Sequence, residues 1–265
     1  MSETAGLSLA AAYSGSEQQV RWAGNAVEDK DEFADYLRKV VAPRVTDSAS
    51  GFAADLRALA TTGMATEFVE HALKAVPKPK GWEVGEALAE CVLETNGGRE
   101  VRWPWNTARD RRTPRASLPG ADLVGFCLEG DEVLLLFGEV KTSSDANTPP
   151  GVMSGGSGMI WQLEESASRL DIQLSLLQWL QARCKEQPYR DYYERAVSRY
   201  LASRGRELLL VGILVRDTSP SEQDLKARAK TLAKNLDAPM RGELIAWYLP
   251  IPIKEWADLL EEAAA

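Results

Sequence analysis

The sequence predicts an α/β fold with a mixed β-sheet flanked by helices, on three observations. Two apolar runs, 121–128 (ADLVGFCL) and 132–141 (EVLLLFGEVK), are joined by Glu129-Gly130-Asp131, the pattern of a β-hairpin closed by a short turn. Residues 207–216 (ELLLVGILVR) are almost continuously apolar, as in a strand covered on both faces. Helical periodicities separate these runs, so the order from residue 82 reads α-β-β-β-α-α-β-α-β-α. Short strands interleaved with helices bury their apolar surface best as one sheet between two helical layers.

Taken in order, residues 1–30 are polar and rich in small residues, with an apolar patch at Leu7–Tyr13 and no sustained period. Phe33, Tyr36, Leu37, Val40 and Val41 then recur at helical spacing over 31–44. Residues 51–60 and 65–75 repeat that behaviour until two prolines and a glycine in PKPKG (77–81) stop it. The stop divides a mostly helical N-terminal region, 1–78, with a regulatory or docking role, from a core, 79–265. In the core, 82–94 form an amphipathic helix carrying Val84, Leu88, Cys91 and Val92 on one side, and 99–105 a short strand ended by Pro104. Residues 142–158 (TSSDANTPPGVMSGGSG) are loop by composition, either a flap or unstructured. One long helix is expected over 159–185 and another over 189–203. A helix at 221–236, a strand at 243–249 and a helix at 253–263 complete the chain.

The bulk composition narrows the function. With 31 Lys and Arg against 39 Asp and Glu, the net charge is −8. That is the wrong sign for a chain that grips nucleic acid with its whole surface, so phosphate binding requires a local basic patch or a partner. Cys91, Cys127 and Cys184 are far apart and form no CxxC, which argues against a zinc site or a disulfide framework. No basic start followed by an apolar run marks a signal peptide, and no stretch approaches the ~20 apolar residues of a membrane span. The expectation is a cytoplasmic protein with no membrane partner.

Chemistry concentrates on the hairpin. Glu139 and Lys141 lie two apart on a strand and so share a face, while Val140 points the other way. Asp122 begins the preceding strand, and the tight turn brings it to the same end of the hairpin as Glu139. Two carboxylates hold a hard cation such as Mg²⁺ or Mn²⁺ and leave sites for water and phosphate, with the Val140 carbonyl available as a further ligand. A lysine beside them orients the water and offsets charge developing on a phosphoryl group.

GADLVGF (120–126) followed by FGEVKT (137–142) resembles the PD-(D/E)xK, restriction-endonuclease-like nuclease superfamily, with Gly-Ala-Asp in place of the nominal Pro-Asp. The resemblance spans residues 80–250 in element order, though few residues carry it. It implies a restriction-endonuclease-like sheet, Mg²⁺- or Mn²⁺-dependent phosphodiester hydrolysis, Asp122, Glu139 and Val140 as metal ligands, and Lys141 as a catalytic group. Glu86, in Gly85-Glu86-Ala87-Leu88-Ala89, matches the acidic residue that members carry on the preceding helix. Gln173 is the best match for the polar residue on the following helix, with Gln162 and Gln178 as weaker ones. An acidic nuclease without its own ATPase is similar to the Hachiman-type effector of prokaryotic anti-phage defence, which implies a helicase-type partner and DNA as substrate.

Each signal also has a plainer reading. Glu-x-Lys on a strand is often a solvated ion pair, an aspartate after glycine is often a turn residue, and Glu86 sits among Glu83 and Glu90 on what is otherwise a polar helix face. Arg99, Arg102, Arg109, Arg111, Arg112 and Arg115 supply the local positive charge, with Trp103 and Trp105 interleaved for base stacking. Of these, Arg109, Arg111, Arg112 and Arg115 are the expected phosphate contacts; the alternative is a loop that pairs with acidic surface elsewhere. The single histidine, His71, leaves a Ser-His hydrolase or His-metal nuclease without its parts. No GxxxxGK[ST] or GxSxG occurs. The rival function is a non-catalytic scaffold that uses the same fold to bind a partner.

Overall fold

The computed structural model describes residues 6–96, 99–110 and 120–262. Strands β1 (Ala10–Glu17) and β2 (Val20–Ala26) form an antiparallel hairpin at the start of the chain. Helix α1 (Lys30–Tyr36) follows, capped by Asp29, whose carboxylate accepts the amides of Asp31 and Glu32 at 2.8 and 3.0 Å. It runs on through a π-helical turn, Leu37–Val41, into α2 (Ala42–Thr46). Next come α3 (Phe52–Leu59), α4 (Gly63–Lys74), α5 (Gly81–Thr95), β3 (Glu100–Arg102) and α6 (Thr107–Asp110). The central hairpin is β4 (Leu123–Glu129) and β5 (Glu132–Ser143). The rest is α7 (Met159–Ser168), α8 (Leu170–Arg183), α9 (Tyr189–Ala202), β6 (Leu208–Arg216), α10 (Lys226–Asn235), β7 (Arg241–Tyr248) and α11 (Trp256–Glu262).

All seven strands make one mixed sheet in the order β1-β2-β7-β6-β5-β4-β3. The parallel pairs are β2–β7, β7–β6 and β6–β5; the outer pairs are antiparallel. Every residue of β6 is buried, as its unbroken apolar run requires of a central strand. Alternation along β5 splits the core. Leu134, Leu136 and Val140 face one layer, with Phe33 from α1, Leu88 from α5 and Trp256 from α11. Val133, Leu135 and Phe137 face the other, with Leu163 from α7, Leu176 from α8, Ala196 from α9 and Leu232 from α10. The α/β reading is therefore correct. Among the described residues no helix is long and apolar enough to cross a membrane.

The N-terminal region departs from expectation. Its first strands belong to the main sheet, with Val20 through Ala26 in parallel register against Gly242 through Tyr248. The hairpin closes through Gln18 at φ 49°, without an Asn-Gly turn, and β1 is Ala-, Ser- and Gly-rich, so its strand propensity is low. Aromatic rings covering glycines offset that: a Cβ on Gly15 would lie 2.2 Å from the Trp22 ring, and one on Gly24 equally close to the Tyr13 ring. Phe33 and Tyr36, in the region read as regulatory or docking, are 0% and 5% exposed and anchor α1 in the core.

The expected helix over 159–185 is two helices. Arg169 is extended (φ −95°, ψ 105°), and the Gln173 amide donates to the carbonyls of Ser166 and Ala167 at 3.0 and 2.9 Å, satisfying acceptors at the break. The 144–153 segment is fastened. Asp145 accepts from the amides of Asn147 and Gly151, both at 3.0 Å, and Met153 is buried. Arg216, wholly buried at the end of β6, donates to the carbonyls of Asp145 and Asn147 and grips Asp224 at 2.7 Å.

Candidate active site at the end of the central hairpin

The register of β4 on β5 pairs Leu123 with Gly138 and continues to Glu129 opposite Glu132. One step beyond its last pair lie Asp122 and Glu139. Both side chains leave from the face of Val124, Phe126 and Phe137, whereas Val140 packs on the opposite face. The two carboxylates are thus neighbours across the hairpin, where the sequence places them.

Three contacts define the geometry. The Asp122 amide donates to the Gly138 carbonyl at 2.9 Å, keeping the chain against β5 for one residue past β4. The Val140 amide donates to the Asp122 carboxylate at 3.0 Å. Lys141 Nζ donates to Glu139 Oε1 at 2.5 Å. In an extended strand the N–H and C=O of one residue leave on the same side. The Val140 carbonyl therefore also faces the gap beyond the end of β4, beside Asp122. Glu139 is only 3% exposed. Burial first, then the Asp122 charge, push its carboxyl up to about 8, with Lys141 opposing.

Two carboxylates and a carbonyl converging on a buried, negatively charged spot fit a hard divalent cation. Burial and the neighbouring Asp122 charge both favour the neutral form of Glu139, and Lys141 offsets them only in part. Glu86 is not drawn into this cluster. A Cβ on Gly85 would sit 2.0 Å from Thr142 Oγ1, so glycine lets α5 lie directly on the end of β5. That contact is made on the Val140 and Thr142 face, opposite Glu139. Among the described residues no three His, Cys, Asp or Glu side chains group within reach of one ion.

Gln173 is buried and fully engaged: besides the two carbonyls it accepts from Tyr200 Oη at 2.6 Å. It ties α7, α8 and α9 together. Gln162 stands differently. A Cβ on Gly212, the β6 residue registered with Glu139, would meet Met159 and Leu163 of α7 at 2.7 and 3.0 Å. Ser166 reaches the Gly120 carbonyl at 3.5 Å. Gln162 lies between these positions on the same stripe of α7, and its Oε1 is buried without a partner among the described residues. The sequence offered Gln162 only as a weaker match, because spacing alone cannot show which glutamine the core consumes.

The arginine-rich segment divides. Arg99 pairs with Glu129 and Glu243, and Arg102 with Glu94 and Glu100. Arg109 lies 3.6 Å from Asp47 and 3.5 Å from Asp110. These three are ion-paired, as in the plainer reading. Arg111, Arg112 and Arg115 lie outside the described residues. The tryptophans are not stacking platforms: Trp103 and Trp105 are buried, donating to the carbonyls of Glu90 and Val124 at 3.1 and 2.6 Å. No family model and no curated protein matches this chain.

Proposed function

We propose that this chain is a metal-dependent nuclease of the restriction-endonuclease-like kind, with Asp122, Glu139, Val140 and Lys141 as its centre. The observation that carries the proposal is the convergence of Asp122, Glu139 and the Val140 carbonyl at the open end of β4, with Lys141 alongside. Asp122 and Glu139 would hold Mg²⁺ or Mn²⁺, which would supply positive charge to the phosphoryl oxygens and acidify a water. Asp122 is oriented for this by the Val140 amide. Lys141, paired with Glu139 beside this spot, would hold the attacking water and stabilise negative charge. Gln162 replaces Gln173 as the glutamine that serves the site, since Gln173 is spent on hydrogen bonds whereas the buried Gln162 Oε1 has no partner among the described residues.

DNA as substrate, a role in anti-phage defence and a helicase-type partner rest on the resemblance of GADLVGF and FGEVKT and on the net charge of −8, which disfavours unaided encounter with DNA. The test is cleavage of supercoiled, linear and single-stranded DNA by the full chain, with and without divalent cation. Cation-dependent products absent from Glu139→Gln support the reading. Equal background in both proteins refutes it and favours the scaffold alternative.

A further inference from the structure

We propose that the α3–α4 hairpin is a self-association surface, on which two copies of this chain pack as a four-helix bundle. Neither helix contains a single buried residue, although both are amphipathic. Isolated helices of this length are marginal in water; Arg57 pairs with Glu70 across α3 and α4 at 2.7 Å, Thr66 Oγ1 donates to the Ala60 carbonyl at 3.4 Å, and Leu56, Val69 and Leu73 are only partly covered. Phe52, Leu59, Met64 and Phe68 are 63–84% exposed, with Val76 just beyond α4 at 70%. Phe52 and Leu59 are seven apart and Met64 and Phe68 four apart, so each pair lies along one helix face.

Area and charge select a second copy as the occupant. With long apolar side chains covering about 150–200 Å² each, the five expose on the order of 600 Å², near the ~800 Å² per partner of a standard interface. A twofold contact sets a patch against itself, so it tolerates little net charge. Residues 52–76 carry Arg57 and Lys74 against Asp55, Glu67 and Glu70, a balance of −1, while the whole chain carries −8. The hairpin is thus a near-neutral apolar surface on an acidic protein, and an αα-hairpin stacked on its copy forms a four-helix bundle with short connections.

The test is sedimentation of the full chain from low micromolar to above a hundred micromolar. The expected result is the mass of two chains at high concentration, returning to one chain in Leu59→Glu and Phe68→Glu. In parallel, Leu59→Cys and Phe68→Cys are treated with a short bismaleimide; the three native thiols are buried, so a covalent dimer reports the engineered sites. A single-chain mass throughout with no cross-linked product, as expected if another protein covers the hairpin, overturns the proposal. So does a dimer that both glutamate substitutions leave intact.

Discussion

The amide of Val140 donates to the carboxylate of Asp122 at 3.0 Å, so the strand that carries Glu139 and Lys141 also fixes the acid opposite them. This separates two effects of substitution at Asp122. Asp122→Asn keeps an acceptor for Val140 and removes a charge, so it should lower cleavage at least about 100-fold with little change in melting temperature. Asp122→Ala should lose activity to the same extent and also cost about 1 kcal/mol, since the Val140 amide is left without its partner. Thermal melts beside cleavage assays check both.

Glu139 gives a pH dependence of defined sign. Its carboxyl titrates at about 8 in the fold against an ordinary value of 4.5, so between these the folded protein binds more protons than the unfolded chain. Stability is therefore full below about pH 4.5 and falls as pH rises through 8, by on the order of a few kcal/mol. Glu90, buried beside Arg44 and pushed up to about 7 by burial, adds to the lower part of the same window. Metal-free protein should melt at lower temperature at pH 8 than at pH 5.5, and Glu139→Gln should flatten that slope. Melts across this range decide it; a slope unchanged in the variant removes Glu139 as its source.

The two glutamines should behave oppositely. Gln173→Ala removes three buried hydrogen bonds and should cost about 2–4 kcal/mol. Gln162→Ala removes an oxygen that has no partner among the described residues, so its stability should stay within about 0.5 kcal/mol of the parent while cleavage falls. Denaturant titration and turnover, measured on both variants, test the assignment.

Arg216 holds the segment that follows Lys141. Arg216→Met leaves the buried Asp224 charge with only the Tyr248 hydroxyl as a donor and frees the carbonyls of Asp145 and Asn147, so a loss of about 3–5 kcal/mol is expected. Hydrogen exchange should show faster exchange of the Asn147 and Gly151 amides in the variant.

Reversing Arg111 and Arg112 to glutamate should weaken DNA binding and flatten its salt dependence, because each phosphate contact contributes to counterion release. Arg109→Glu should do less, since Asp47 and Asp110 already neutralise Arg109. Binding isotherms at several salt concentrations distinguish the three.

The sequence made the hairpin legible because every signal agreed: apolar strands, a Gly-Asp turn, and a register that the turn itself sets. That register brings Asp122 and Glu139 to the same end of the hairpin. What stayed hidden depended on partners distant in the chain. Strand β1 owes its place to Tyr13 and Trp22 rings closing over Gly24 and Gly15, a pairing invisible in an Ala- and Ser-rich run. The break at Arg169 lacks glycine or proline, since Gln173 supplies the missing hydrogen bonds from within the next helix. Trp103 and Trp105 read as surface because arginines surround them, yet both rings fill the core.

The central claim is that Asp122 and Glu139 together hold a divalent cation, and titration of Mn²⁺ into the full chain tests it most directly. The expected result is one saturable site whose affinity rises from pH 6 to pH 8, as the Glu139 proton ceases to compete, and which is lost in both Asp122→Asn and Glu139→Gln. No saturable binding, or binding that both substitutions leave unchanged, would contradict it.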